Sequence, residues 1–212
     1  MKSYLRFLSR NKLYTAIEVV GLSVALAFVL IIGSYVWQEY SISRENPDYE
    51  RIYIPTQSMP YGIFEPMKEQ IPEIEKITLV NSFDDVVMEC DDERLVTRGL
   101  AVRGDFFDIF DYEFLIGDAG CLESYTDIVI SESYAAKLAG KPELAVGMKI
   151  VPVDYPSQAY TVTGIIKDFD QNYWKYMDFI CKGESPLNDS AQKNPIFTLS
   201  ATAFIKVAES AD

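Results

Sequence analysis

Residues Val19 to Trp37 read VVGLSVALAFVLIIGSYVW, a run of 19 residues without a charge, with Glu18 and Glu39 just outside it. As a helix this run spans about 28 Å at a rise of about 1.5 Å per residue. That is close to the hydrocarbon thickness of a bilayer, about 30 Å. Eleven of its residues are Leu, Ile, Val or Phe. Together they favour insertion by roughly 3–7 kcal/mol, an upper bound because positions near the helix ends count less. Tyr35 and Trp37, with Tyr40 just beyond, suit the headgroup layer at the far end. The run predicts a transmembrane helix over residues 13–40.

A cleaved signal peptide is the competing reading. The apolar run is too long for a typical signal, and no small-x-small site follows it. Ala25-Leu26-Ala27 has suitable letters but lies inside the run, with FVLII still to come. An uncleaved anchor is therefore expected. Gly21 and Ala25 form a small-xxx-small pair, a pattern common in membrane helices that does not by itself imply a partner helix.

Working outward, Lys2, Arg6, Arg10 and Lys12 precede the run, and no acid occurs before Glu18. The positive-inside rule puts the N-terminus in the cytoplasm and everything after Tyr40 on the outer side. Tyr4, Leu5, Leu8 and Leu13 have spacings compatible with a short interfacial helix at the start of the chain, which makes residues 1–12 a basic cytoplasmic segment.

The remainder, residues 41–212, is polar. The whole chain carries 19 basic and 32 acidic residues, a net −13. The four basic residues before the helix, Glu18 and Glu39 lie outside this part, which keeps 15 basic and 30 acidic residues and so carries −15. Such a balance argues against nucleic-acid binding, which needs clustered Lys and Arg. It also argues against adhesion to an anionic membrane surface. The chain has no His. That excludes Ser-His-Asp and Cys-His nucleophiles, a His general base and His metal ligands. No P-loop or nucleophile motif is present either, so no enzyme, cofactor, metal site or catalytic residue is expected. Cys90, Cys121 and Cys181 are odd in number and lack CxxC spacing. One disulfide with one free thiol is compatible with the outer side, but buried free thiols are the simpler expectation.

A pass along this part predicts an α+β domain. Strands are expected at Arg51–Thr56, Lys76–Val80, Val86–Cys90, Leu95–Val102, Thr126–Ile130, Met148–Val153 and Ala159–Ile166. Gly62–Gln70 reads as a helix with Ile63, Phe64, Met67 and Ile71 on one face, stopped by Pro72. Asp105–Phe110 fits about one helical turn. Ser131 is placed to N-cap a helix that stops at Gly140, with Glu132 in its first turn. From Ile196 to Val207 apolar residues alternate with Thr198, Ser200, Thr202 and Lys206, which predicts a strand exposed on one side. Asp170–Pro195 has weak periodicity and many turn formers and reads as a long loop. There is no internal repeat.

Several groups invite a functional reading. Asp84, Asp85, Glu89, Asp91, Asp92 and Glu93 could hold a hard cation, but the spacing matches no EF-hand loop, and a solvated hairpin turn is the expectation. Phe106, Phe107, Phe110, Tyr112 and Phe114 could line a groove; core packing is the expectation. Asp168 and Asp170 could pair as acid and base, yet no substrate-binding set accompanies them, and charges at a strand end suffice. Asn188-Asp189-Ser190 is a formal glycosylation triplet and reads as a polar loop.

The order of motifs resembles the N-terminal part of a MacB/FtsX-like ABC transporter permease. Arg10-Asn11-Lys12-Leu13-Tyr14 followed by Gly21-Leu22 is similar to the family's opening of its first helix. Asn46-Pro47-Asp48 with Arg51-Ile52-Tyr53 is similar to its "N-x-D-R-I-Y" start of the outer domain, and Ile71-Pro72-Glu73-Ile74-Glu75 to a "PEVE"-like helix end. Phe106–Phe110 through Phe114-Leu115-Ile116-Gly117-Asp118 resembles its "FF-x-x-F … F-x-x-L-x-G-D" segment. Ile128–Ser133, Ala136-Lys137-Leu138 and Gly147, then Tyr160–Phe169, resemble two further segments. Each piece is weak alone; six in the right order over nearly the whole chain are specific.

The resemblance implies a periplasmic core domain over residues 41–212, with a porter-like part and a β-rich inserted part within residues 113–170. It implies an inner-membrane permease, working as a dimer with a separate ABC ATPase subunit and acting on a periplasmic or outer-membrane substrate or partner. The ATPase contacts and three further membrane helices would lie in parts absent from these 212 residues, so a truncated product or a segment of a longer permease is expected. A single-pass sensory or adhesive ectodomain is the alternative. It is weakened by the shortness of the inner segment, too small for a signalling domain.

Overall fold

The structure, a computed structural model, describes residues 11–42, 46, 48–60, 64–91, 93–168, 174, 176–183 and 200–209. Residues 1–10, Asp92, Asp170, residues 196–199 and the Asn188–Ser190 triplet lie outside the described residues, and so do the expectations that rest on them. The chain forms two compact units, Met1–Glu45 and Asn46–Asp212.

Among its described residues the first unit forms one long helix, α1 (Lys12–Ile42). Its segment Lys12–Gln38 has a mean hydropathy of 2.5 and is long and apolar enough to cross a membrane. Among the described residues none of its most apolar window is buried. Leu26, Val29, Leu30 and Ile31 all stand more than half exposed. Ser23 and Ser34 donate their hydroxyls to the carbonyls of Val19 and Ile31, so the two polar side chains inside the run are satisfied within the helix.

The second unit is built on a ten-stranded mixed sheet. In chain order its strands are β1 (Ile52–Tyr53), β2 (Met59–Pro60), β3 (Ile74–Cys90), β4 (Glu93–Gly104), β5 (Phe114–Ile116), β6 (Asp127–Ser131), β7 (Lys149–Pro152), β8 (Tyr160–Ile166), β9 (Phe179–Lys182) and β10 (Ser200–Val207). Among the described residues three α-helices accompany them: α2 (Phe64–Gln70), α3 (Phe106–Ile109) and α4 (Glu132–Ala139).

The long β3–β4 hairpin is the spine. Its inner half pairs with β10, which in turn pairs with β1 and β2. One face of this half carries Ile74, Ile77, Leu79, Ala201, Ala203 and Ile205, with Met67 of α2 against them. The other face carries Val80, Leu100, Val102 and Phe204 beneath Phe106, Phe110, Tyr112 and Trp174. The outer half of the hairpin takes part in a ring of pairings that closes on itself: β3 with β4, β4 with β9, β9 with β6, β6 with β8, β8 with β7, and β7 back to β3. Inside lie Met88, Cys90, Ile128, Ile130, Ile150, Val162, Ile165, Phe179 and Cys181, with Tyr134 and Ala135 of α4. Closing a sheet in this way leaves fewer unpaired edges.

Three expectations change. Lys76–Val80 and Val86–Cys90 belong to one strand; its pairing register shifts between Phe83 and Val86, where Asp85 takes a left-handed φ of 57°. The bulge, and not a turn, accounts for the acidic pair Asp84-Asp85. The long loop over 170–195 contains β9, buried at Phe179, Ile180 and Cys181 between β4 and β6. β10 is not open on one side along its length: Phe204, on the face expected to be polar, is buried among aromatic rings.

Local signals hold elsewhere. Ser131 accepts the Tyr134 N–H at 3.2 Å as the N-cap of α4. Gly140 ends that helix at φ 74°, a conformation costly for a residue with a Cβ. Cys90 and Cys181 are buried free thiols, whereas Cys121 is only half-buried. Burial raises the Cys90 thiol and pushes that of Cys181 up to about 11.

Candidate functional site

An open cleft of about 500 Å³ lies where the ring meets the hairpin. Asp85 comes from the bulge of β3, Arg98 from β4, Ser133 and Lys137 from α4, Asp168 from the end of β8, and Asp178 from the approach to β9.

The polar groups of the cleft serve the fold first. The Asp168 carboxylate accepts the Ser133 N–H at 2.9 Å and also the Ser133 hydroxyl. It places negative charge at the N-terminus of α4, where unpaired amides and the helix dipole favour it. Asp178 is a junction. Its N–H donates to the Arg98 carbonyl at 2.7 Å, its carboxylate accepts the Arg98 N–H at 2.9 Å, and its carbonyl accepts the Ser131 N–H at 2.9 Å. Lys137 stands 3.9 Å from that carboxylate, and Arg98 reaches Asp84 at 3.5 Å. Tyr134 is buried, and its hydroxyl has no hydrogen-bond partner among the described residues. Burial, with Asp178 and Cys90 nearby, raises its pKa.

The Ser133–Asp168 contact is a helix cap, and the sequence has no His to serve as a base. Among the described residues no group of three or more Cys, Asp or Glu is placed to hold a metal ion. The acidic stretch divides between the bulge at Asp84-Asp85 and the hairpin tip, where Arg94 holds Glu89 at 2.6 Å. The aromatic set packs as core, with Phe106 5.2 to 5.6 Å, centre to centre, from the rings of Phe110, Tyr112 and Trp174. Asp168 is indeed a charge at a strand end, with a capping task that its sequence neighbours do not reveal. The roles of Arg98, Lys137, Ser133 and Asp178 carry no sequence signal, because they depend on contacts between segments up to 80 residues apart.

A second polar cluster gathers the Asn46–Arg51 motif. The Arg51 guanidinium donates to the Val207 carbonyl at 2.9 Å, to Asp48 at 3.0 Å and to Glu75 at 2.5 Å. Lys206 bonds the other oxygen of Asp48. The Asn46 amide donates to the Ile109 carbonyl at 2.7 Å, while its oxygen accepts the Asp48 N–H. The residues that open the domain are thereby tied to its last strand and to α3.

The sequence pattern of the MacB-like periplasmic core domain matches residues 15–193, most of the chain. The chain belongs to that family. A MacB-like domain behind one apolar helix marks a component of an ABC-type transporter permease, the non-ATPase part of such a system, anchored in a membrane with its bulk periplasmic. The fold is shared with a crystallised domain of a Porphyromonas gingivalis protein described as a permease, at a TM-score of 0.64 and 21% identity over 76% of this chain and 77% of that one. It is shared with the periplasmic region of MacB from Actinobacillus actinomycetemcomitans, at 0.54 and 13% over 74% and 68%. It also resembles the extracellular domain of the noncanonic ABC-type transporter YknZ from Gram-positive bacteria, at 0.50 and 13% over 74% and 76%. No curated protein matches the sequence itself.

Proposed function

We propose that this MacB-like chain transmits motion between the inner membrane and a partner on its outer side. ATP hydrolysis by a separate ABC ATPase shifts the membrane helices of a permease dimer, and the outer domain moves in response. The N-terminus is cytoplasmic, residues 13–40 span the membrane, and residues 41–212 form the periplasmic domain, within which residues 113–170 form the β-rich inserted part. The observation that carries this reading is the Arg51 cluster. Residue 46 follows the end of α1 by four residues, and the cluster fastens residues 46–51 to β10. A displacement carried into residues 46–51 therefore enters the sheet through this cluster.

Cysteine accessibility in intact bacterial cells tests the orientation. A membrane-impermeant thiol reagent should label a cysteine placed at exposed Tyr155 and spare one placed at Lys12. The reverse pattern rejects the topology. The coupling is tested in the full permease with its ATPase: Arg51→Ala should lower substrate-stimulated ATP hydrolysis while leaving assembly and basal hydrolysis intact. Unchanged stimulation rejects the transmission path.

A further inference from the structure

Among the described residues, the outer edge of β4 is paired along only part of its length. β9 pairs with β4 only from Gly99 to Val102. Arg98 turns both its N–H and its C=O toward that side, where Asp178 meets them. A strand's groups alternate sides with a period of two residues, so Val96 and Arg94 direct theirs along the same line. Among the described residues nothing meets these two donors and two acceptors. Ahead of β9, Tyr176 adopts a left-handed φ of 70°, uncommon outside glycine, which departs from the extended conformation of a strand. Val96 is 66% exposed. The cleft opens directly beside it, lined by Asp85, Asp168 and Asp178 against Arg98 and Lys137.

We infer that the Arg94–Val96 edge of β4 is a strand-addition site for an extended, lysine- or arginine-bearing segment of a partner polypeptide. The open amides and carbonyls supply the backbone ladder, and the cleft receives alternate side chains. The charge of the occupant follows from the acids on the page. The cleft has an excess of carboxylates, Asp84 flanks it, and residues 41–212 carry 30 acids against 15 bases. That field attracts a cationic segment and repels a second copy of this chain. The inference supplies the contact that the proposed function leaves open on the outer side.

The test is residue-resolved amide exchange on the full chain in detergent. With no ligand, the Arg94 and Val96 amides should exchange faster than those of Leu95 and Thr97, which face β3. An acetylated, amidated peptide of alternating lysine and valine should slow Arg94 and Val96 about tenfold or more, and its glutamate counterpart should not. Val96→Pro removes one of the open donors and should abolish the protection; proline is tolerated at such an outward edge position. Asp85→Asn keeps the left-handed backbone and should weaken protection without touching the edge. Arg94 and Val96 amides already as slow as Leu95 in the free chain would overturn the site. So would no protection by the lysine peptide at millimolar concentration, or equal protection by both peptides. Protection that grows with protein concentration alone would name a second copy as the occupant and overturn the assignment. None of these readouts depends on membrane orientation or ATPase coupling, so the site and the proposed function fail separately.

Discussion

Leu30 and Ile31 in α1 are about two-thirds exposed, while Ile128, Val129 and Ile130 in β6 are completely buried. Both stretches are uninterrupted apolar sequence, and both must leave water. In β6 the chain supplies the cover: β8 and β9 pair with its edges, the aromatic cluster takes Val129, and the ring interior takes Ile128 and Ile130. In α1 the apolar window has none of its residues buried among the described residues, and the backbone satisfies itself within the helix. The difference is one of length and of hydrogen bonding. A three-residue run within a five-residue strand can be enclosed by a domain of this size; a run of 19 in a self-contained helix needs a different solvent.

Four changes probe that contrast, from the largest expected effect to the smallest. Phe106→Ala removes a ring at the centre of the aromatic cluster and should cost the domain about 3–5 kcal/mol. Chemical denaturation followed by tryptophan fluorescence should show the loss, while flotation with membranes stays unchanged. Leu26→Arg does the converse. It costs insertion about 3 kcal/mol, so the membrane-bound fraction should fall while the protease-resistant outer fragment persists. Loss of both properties in either variant would mean that the two regions do not stand independently. Ser131→Ala deletes the cap of α4 and should cost about 1 kcal/mol, read as a shifted denaturation midpoint with unchanged slope.

The fourth change concerns pH. The hydrogen bond from Lys206, aided by Arg51, holds the Asp48 carboxyl below its ordinary value of 3.8. A lowered folded pKa gives stability that is complete above the unfolded value and is lost as pH falls through the folded one. Wild type should therefore lose stability more steeply than Asp48→Asn below about pH 4. Parallel curves would mean that the pair is merely a surface contact.

The same contrast explains what the sequence reveals. The membrane span, the Ser131 cap and the Gly140 stop are local signals, and each is visible within a few neighbouring residues. β9 is not. Phe179, Ile180 and Cys181 are buried on both faces, so they show no alternation, and turn-forming residues surround them. The bulge at Asp85 hides in the opposite way, because two acids in a strand look like a turn. The cleft was the least legible feature. Its residues belong to five separate segments, and only the closing of the ring brings Asp168 to Ser133 and Asp178 to Arg98.

The pairing of Ile52 with Lys206 has one more consequence. The first and last strands of the outer unit lie side by side, about 4.8 Å apart. A module with its two ends that close can be spliced into a host polypeptide at a single point, without stretching the host or lengthening its links.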